Sequence, residues 1–331
     1  MRIVYFIILF TFVLNYAKNQ GLANSLKTSD VANDLTVTTA GKVLDARQGN
    51  VLSNNLSHEN LLDNPWFTVN QRGQNVYSSE GYMVDRWRLS YGTGATTHQA
   101  TVNNDNSITI ECEGTNNTYF SQKIENELLP GNDYAVSIKC RNIIGSPNFQ
   151  IIYSDGTYGI THIVTGALYI YTMRNLSKNV RGIIFNIHPG ESITLEAVKL
   201  EKGSISTLSM DSAPNYQQEL AKCQRYFQRI KSNSNGTQIL QSIANSSTSS
   251  RGLIILSECM RKTPTVTVSD IAAFSLFNSS STKQVSSIAL LTIDDNKKYC
   301  KLTIFATDMT ANDVYALELA NGAYIDFSAD L

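Results

Sequence analysis

The chain of 331 residues is long enough for two or three domains, each with its own core. Charged residues are 17% of it, and 27 Lys and Arg nearly balance 28 Asp and Glu, so no net field gathers nucleic acid or an anionic membrane. The five cysteines, Cys112, Cys140, Cys223, Cys259 and Cys300, stand far apart with no C-x-x-C pair and no histidine at ligand spacing, which argues against a zinc site, and their odd number argues against full disulfide pairing.

The start, "MRIVYFIILFTFVLNYAKNQGLANS", carries one Arg and then mostly apolar residues from Ile3 to Leu14. That run is short for a bilayer span and fits a signal-peptide core with a small-residue cleavage position around Ala23; a buried hydrophobic stub over 1–26 or a wrongly assigned start are the alternatives. Over 27–59, Val37, Leu44 and Val51 recur at heptad spacing, with Ala40 in the companion position and Leu52 and Leu56 following. This lays a thin apolar stripe along a helix, and so thin a stripe needs partner chains to cover it, which predicts a short oligomerising stalk capped by Thr38 or Thr39. Arg47 and Asn54 interrupt the stripe, so a helix lying against its own domain is the competing reading.

Over 60–212, short alternating runs are separated by Gly, Asn, Asp and Pro clusters such as "LLPGND" and "YSDGTYG", which predicts an antiparallel β-sandwich of jelly-roll type. "SITIEC", "YFSQKIE", "DYAVSIKC", "FQIIYS", "ALYIYTM", "RGIIFNI" and "SITLEAVKL" are its candidate strands. Cys112 shares strand parity with Ile108 and Ile110, and Cys140 with Tyr134, Val136 and Ile138, so both face a core. A free thiol packs there as a small hydrophobe, a reading preferred to a Cys112–Cys140 bridge.

A linking helix is predicted over 213–231, with Pro214 before it and Leu220, Cys223, Phe227 and Ile230 on one face. "KSNSNGTQILQSIANSSTSSRG" reads as a soft boundary. Beyond it, 232–331 forms a smaller C-terminal β-domain with strands in "GLIILSECM", "TPTVTVS", "VSSIALLTI", "YCKLTIFAT", "DVYALELA" and "AYIDFSADL". The last strand puts Ile325, Phe327, Ala329 and Leu331 on one side, which predicts a C-terminus pinned inside a sheet. The fold class is therefore mainly β.

Catalysis needs groups that converge, and the four histidines, His58, His98, His162 and His188, share no ligand spacing; there is no G-x-S-x-G elbow and no phosphate-cradling Gly loop. Glu111 and Glu113 share a strand face, where carboxylates are ordinarily solvated rather than catalytic. No enzyme, metal or cofactor is expected. Binding leaves a different trace, since sugars present hydroxyls around faintly apolar ring faces and their sites pair aromatic platforms with Asn, Asp, Gln and Arg. Aromatic and polar residues interleave in "YSSEGYMVDRWRLSYG", "GTNNTYFSQ", "IIYSDGTYGITH" and "ALYIYTMRN", which makes Tyr119, Tyr153, Tyr158, Tyr169 and Arg88 candidate ligand-binding residues. Most aromatics of a sandwich fill its core or its edge. Trp87 is assigned to the core, sharing parity with Met83 and Asp85 on a strand whose Arg86 faces the other way, so that Asp85 and Arg86 do not form a simple neighbour pair.

Several stretches together resemble one family. "TTAGKVLDARQGNVLSNNL" resembles the linker helix of bacteriophage tail-fibre and receptor-binding proteins; "NLLDNPWFTVNQRG" with "YMVDRWRLS", and "VKLEKGSIST", resemble the opening and closing of their carbohydrate-binding-like jelly roll. "ELAKCQRYFQRI" resembles the helix joining it to a C-terminal module, which "MRKTPTVTV" and "GAYIDFSADL" also match. The resemblance covers residues 34 to 331, with its elements in order. It implies a homotrimeric virion tail component that binds host-surface glycans non-catalytically during attachment, alongside other virion tail proteins; a glycan depolymerase and a purely structural spacer are the alternatives. Asn70, Gln71, Arg72, Asp85, Arg86 and Trp87 match the family pattern, with no sugar-contact role that transfers to them. A secretion signal would depart from it, since fibres assemble in the host cytoplasm, and would make the chain secreted or cell-surface. On this resemblance, the usual virion-attachment region is expected to be absent or replaced.

Overall fold

The computed structural model describes residues 58–92 and 98–331, together with strands β1 (Val31–Ala32) and β2 (Val43–Leu44), which pair in parallel. The leader expected at 1–26 and nearly all of the stalk expected at 27–59 lie outside the described residues. Leu44, assigned to the helical stripe, belongs to that strand pair.

Twelve further strands build two antiparallel sheets: β3 (Val76–Tyr77), β4 (Gly81–Tyr82), β5 (Arg88–Tyr91), β6 (His98–Val102), β7 (Ile108–Cys112), β8 (Thr118–Leu128), β9 (Tyr134–Ile144), β10 (Asn148–Tyr153), β11 (His162–Ile163), β12 (Leu168–Met173), β13 (Val180–Ile187) and β14 (Ser192–Lys202). The first sheet has the order β11-β10-β13-β8-β5-β4 and the second β12-β9-β14-β7-β6-β3. β7 pairs with β14, β8 with β13, β9 with β12 and β10 with β11. A long hairpin folded over on itself has this nesting, which is the connectivity of a jelly roll. The seven strands expected here are present; β3 to β6 and β11 are short and carry too little alternation to be read from sequence.

Alternation explains the core. Ile108, Ile110 and Cys112 of β7 and Tyr134, Val136, Ile138 and Cys140 of β9 are buried between the sheets, and all five cysteines of the chain are free. Trp87 is fully buried, stacked on Phe120 at 4.8 Å and edge-on to Phe67 at 5.3 Å, and its indole N–H donates to the Asn64 carbonyl at 3.0 Å. The segment around it is not the expected strand. It is a tight turn closed by Trp87 N–H to Val84 O at 3.0 Å, with Arg86 in the left-handed region at φ 72°. Gly182 sits where β13 shifts register against β8; a Cβ there would lie 2.2 Å from the Gln122 carbonyl oxygen, so the strands can approach only because the side chain is missing.

Helix α1 (Tyr216–Gln224) is capped by Asn215, whose side-chain oxygen accepts from the Gln217 and Gln218 backbone N–H groups. It is shorter than expected. Phe227–Lys231, assigned to the same helix, is strand β15, and the helix buries Glu219 and Cys223 instead of a Phe227 and Ile230 stripe. The remaining strands are β16 (Thr237–Ala244), β17 (Ser249–Ile255), β18 (Thr265–Val268), β19 (Phe274–Asn278), β20 (Ser281–Ile293), β21 (Tyr299–Ala306), β22 (Val314–Leu319) and β23 (Tyr324–Ser328). Six of them close a barrel, β16-β17-β21-β20-β19-β22, while β15, β23 and β18 form a separate sheet with β23 in the middle. β16 lies in the stretch expected to be a boundary, so that stretch is part of the barrel wall.

Residues of the "NQRG" and "VDRW" motifs sit where the sandwich meets this second module. The Gln71 side chain donates to Asp85 at 2.7 Å and to the Phe227 carbonyl at 2.8 Å. Arg72 pairs with Asp330 at 2.8 Å and lies 3.7 Å above the Phe227 ring, and Arg86 pairs with Asp63 at 2.9 Å and lies 3.5 Å above Tyr226. Arg229 grips Asp326 through two bonds of 2.7 Å. Asp85 and Arg86 thus have separate partners, as the sequence implied, although through a turn.

Burial pushes the Asp85 carboxyl up to about 6 against the opposing pull of Arg72 and the Gln71 hydrogen bonds. The folded protein then holds this proton up to about pH 6, while the unfolded chain releases it near 3.8. Between those values the folded state binds more protons, so this contribution is full below the lower value and is lost as pH rises through the upper one. We expect wild type to gain roughly 2 kcal/mol relative to Asp85→Asn on going from pH 7 to pH 4, with the remainder appearing only below the lower value. Parallel urea titrations across that range check this, and identical pH slopes for the two proteins would contradict it.

Candidate functional site

One edge of the sandwich is lined with tyrosine. There β12, the outer strand of the second sheet, faces β10 and β11 of the first, and inward-pointing side chains reach the edge without being covered. Tyr169 and Tyr171 share parity with buried Met173 on β12, and both are half-buried. Phe149 of β10 anchors them, 5.7 Å from Tyr169 and 6.1 Å from Tyr171, both edge-on. His162 of β11, opposite Phe149 in the register, places its ring 5.3 Å from Phe149 and 3.8 Å from Tyr171. Tyr153 closes β10 on the same inward side.

The segment after β10 completes the edge. The Gln150 side chain donates to the Gly159 carbonyl and to Thr161, each at 3.1 Å, and Gly159 N–H donates to the Ile151 carbonyl at 2.8 Å. These bonds hold Tyr158 against Ile152, where it remains 56% exposed, with Ile160 beside it 78% exposed. Ile163, Leu168 and Ile170 are also exposed.

A cleft of about 260 Å³ opens beside the cluster, lined by Tyr153, Ser154, Asp155, Lys178 and Asn179. Its rim is ordered: Lys178 pairs with Asp155 at 2.9 Å and lies 5.2 Å from the Tyr153 ring centroid. Hydrogen bonds from Thr157 and then Lys178 hold the Asp155 carboxyl down at about 2, so it is an acceptor at neutral pH. Burial lowers the His162 pKa below its ordinary value, which keeps the imidazole neutral and able both to donate and to accept. Burial, with Tyr153 and Tyr169 nearby, raises the Tyr171 phenol, so its O–H stays protonated as a donor. The edge therefore offers aromatic faces, phenolic O–H groups, a neutral imidazole and a fixed carboxylate–ammonium pair.

Of the residues singled out by sequence, Tyr153 and Tyr169 come together here; Tyr158 is bridged to Ile152 on the outer face of the first sheet, and Tyr119 and Arg88 lie elsewhere. Tyr119 lies on the outer face of the first sheet between Ser90 and Asn186 in the register, and Arg88, opposite Ser121, stands 4.0 Å from Glu80. Phe149, His162 and Tyr171 were missed. Tyr171 could have been found, being two residues from Tyr169 on one strand; Phe149 and His162 meet only through the pairing of β10 with β11. Among the described residues no group of His, Cys, Asp or Glu is arranged to hold a metal ion, and no helix is long and apolar enough to cross a membrane.

No protein-family model matches the chain, and no curated protein matches it. Among solved structures, TmCBM61 in complex with β-1,4-galactotriose is similar at 16% identity over 44% of this chain and 99% of its own, with a TM-score of 0.29. The enzymatically active domain of bacteriophage CBA120 tailspike protein 4 is similar at 16% identity over 44% of this chain and 21% of its own, with a TM-score of 0.32. The tandem CBM22-1-CBM22-2 domain from Paenibacillus barcinonensis is similar at 9% identity over 83% of this chain and 98% of its own, with a TM-score of 0.28. At such identities and scores these likenesses carry no functional argument.

Proposed function

We propose that this chain is a phage tail-fibre-like adhesin whose jelly roll holds a host cell-surface glycan along its tyrosine-lined edge without cleaving it. The observation that carries this reading is the convergence of Tyr153, Tyr169, Tyr171 and His162 on one edge. A sugar ring needs a weakly apolar face to lie on and an array of donors and acceptors around it, and this edge supplies both. Hydrolysis would need two carboxyl groups about 5 to 9.5 Å apart; of the residues lining the cleft only Asp155 is a carboxylate, and it is committed to Lys178 and Thr157. In a homotrimeric virion fibre, three such edges on one stalk would raise weak single contacts to firm attachment, because each later contact is intramolecular.

On a glycan array the purified chain is expected to bind surface polysaccharides of its host, and Tyr169→Ala or Tyr171→Ala is expected to weaken binding about tenfold each, the loss of one aromatic platform. Both side chains are half-exposed, so circular dichroism should show intact folding. Unchanged affinity in both variants would remove the edge from consideration. New reducing ends released from a bound polysaccharide would replace binding with hydrolysis, and no binding to any glycan would favour a structural spacer.

A further inference from the structure

We infer that the outer face of the second sheet carries a second saccharide subsite, built on Trp66 and taking a neutral sugar ring; this rests on the glycan-binding reading and extends it away from the tyrosine edge. Trp66 is half-buried at the wall of a cleft of about 170 Å³, with Asp105, Ser107, Lys139, Arg141 and Glu196 as the other lining residues. The position of these side chains follows from the pleat. Ile138 and Cys140 of β9 point into the core, so Lys139 and Arg141 point out.

The polar groups of the cleft are held before any ligand arrives. Arg141 donates to Glu196 at 2.6 Å, to Asp105 at 2.7 Å and to Ser107 at 3.0 Å, and Lys139 pairs with Glu196 at 3.1 Å. Hydrogen bonds from Ser107 and Arg141 to Asp105, and from Arg141 to Glu196, keep both carboxyls below their ordinary pKa values. Two cations and two carboxylates leave no net charge to select an ionised sugar. Lys139 is more than half exposed and has three N–H donors for one carboxylate partner. Ordering has already been completed in the Arg141 clamp, so a ligand that hydrogen-bonds here loses less entropy than one meeting free side chains.

Much of the rest of this face is covered. Residues 203–211 fold back over it, with Ser137 bonded to Ser206 at 2.5 Å, Thr172 to the Ser204 carbonyl at 3.1 Å and Lys199 to Asp211 at 2.6 Å. The Trp66 cleft remains open beside that cover. A solvated ion-pair network alone would not need an indole left half-exposed against it; a ring-stacking ligand would use both.

The chain has two tryptophans, and Trp87 is fully buried, so quenching of fluorescence by iodide reports on Trp66 alone. The probes are β-1,4-linked gluco-, manno- and galacto-hexasaccharides titrated into the intact chain and into a Tyr169→Ala/Tyr171→Ala variant, with affinities from calorimetry. For a bound hexasaccharide, Trp66 is expected to be shielded from iodide in both proteins. Trp66→Ala is expected to lower its affinity about tenfold and Lys139→Ala severalfold, the latter with an unchanged melting temperature. Hexasaccharide binding that neither variant alters, with no shielding of Trp66, overturns the subsite and leaves the tyrosine edge standing. No binding of any hexasaccharide by the intact chain overturns the subsite and counts against the glycan-binding reading as well.

Discussion

Deletion of residues 324–331 is expected to abolish cooperative folding of the C-terminal module. β23 is the middle strand of its sheet, pairing with β15 from Phe227 to Lys231 on one side and with β18 from Thr265 to Val268 on the other. Removing it strips both neighbours of their backbone partners. It also exposes what Ile325, Phe327 and Ala329 cover, all three wholly buried. Burial of a side chain such as Ile or Phe contributes about 1.5–3 kcal/mol, and whole domains are stable by about 5–15 kcal/mol. The Arg72–Asp330 and Arg229–Asp326 pairs vanish in the same step, leaving two largely buried guanidinium groups without their anions. Calorimetry and limited proteolysis should show one early, broad transition and rapid cleavage within 227–323. An unchanged melting profile would mean that β23 is dispensable, against every contact it makes.

Arg86→Ala is expected to lower stability by about 3–5 kcal/mol, the usual cost of removing one partner from a buried pair. The Arg86 side chain is almost inaccessible; its Nε donates to Asp63 at 2.9 Å, one terminal nitrogen donates to the Lys123 carbonyl at 2.7 Å, and its plane covers the Tyr226 ring. Tyr226 in turn donates its hydroxyl to Glu125 at 2.9 Å, and Arg225 pairs with the same carboxylate at 3.0 Å. The substitution therefore loosens the sandwich, the turn before β15 and the end of α1 together. Arg86→Lys should not restore the loss, because an ammonium cannot lie flat on the ring while donating in two directions. Urea denaturation at neutral pH measures the effect, and a loss below 1 kcal/mol would show that the contact is incidental.

Strands with an apolar alternation were legible in the sequence, and β7 and β9 are the clearest, because one face of each is sealed in the core. β16 was not. Its inward positions include Ser242 and Ala244 beside Leu240, so its apolar signal is weak, and a Ser- and Asn-rich stretch looks like a linker until the barrel closes around it. The helix end failed for a different reason. "CQRYFQRI" satisfies a helical period, but the choice between helix and strand after Gln224 is made by β23, roughly a hundred residues away, and local spacing cannot register that partner. Part of the site shows the same limit. Tyr153 and Tyr169 were visible as aromatics among polar residues, whereas His162 acquires its place only when β11 pairs with β10, and Tyr158, Tyr119 and Arg88 share the composition of a site without its location. Composition named the ingredients, and topology sorted them.

The nested pairing of the jelly roll also sets a timetable for its formation from the ribosome or from denaturant, since closing a longer loop costs more entropy. The innermost crossing, Gln150 to Thr161, spans 11 residues, while the outermost, Thr109 to Thr194, spans 85. Within this nest, zippering should begin at β10 and β11 and travel outward, so β7, joined early to β6 by a short hairpin, waits longest for β14. Folding dominated by such distant pairings is slow, on the order of milliseconds to seconds, and during that wait the edge of β7 that β14 will cover is open to pairing with another molecule.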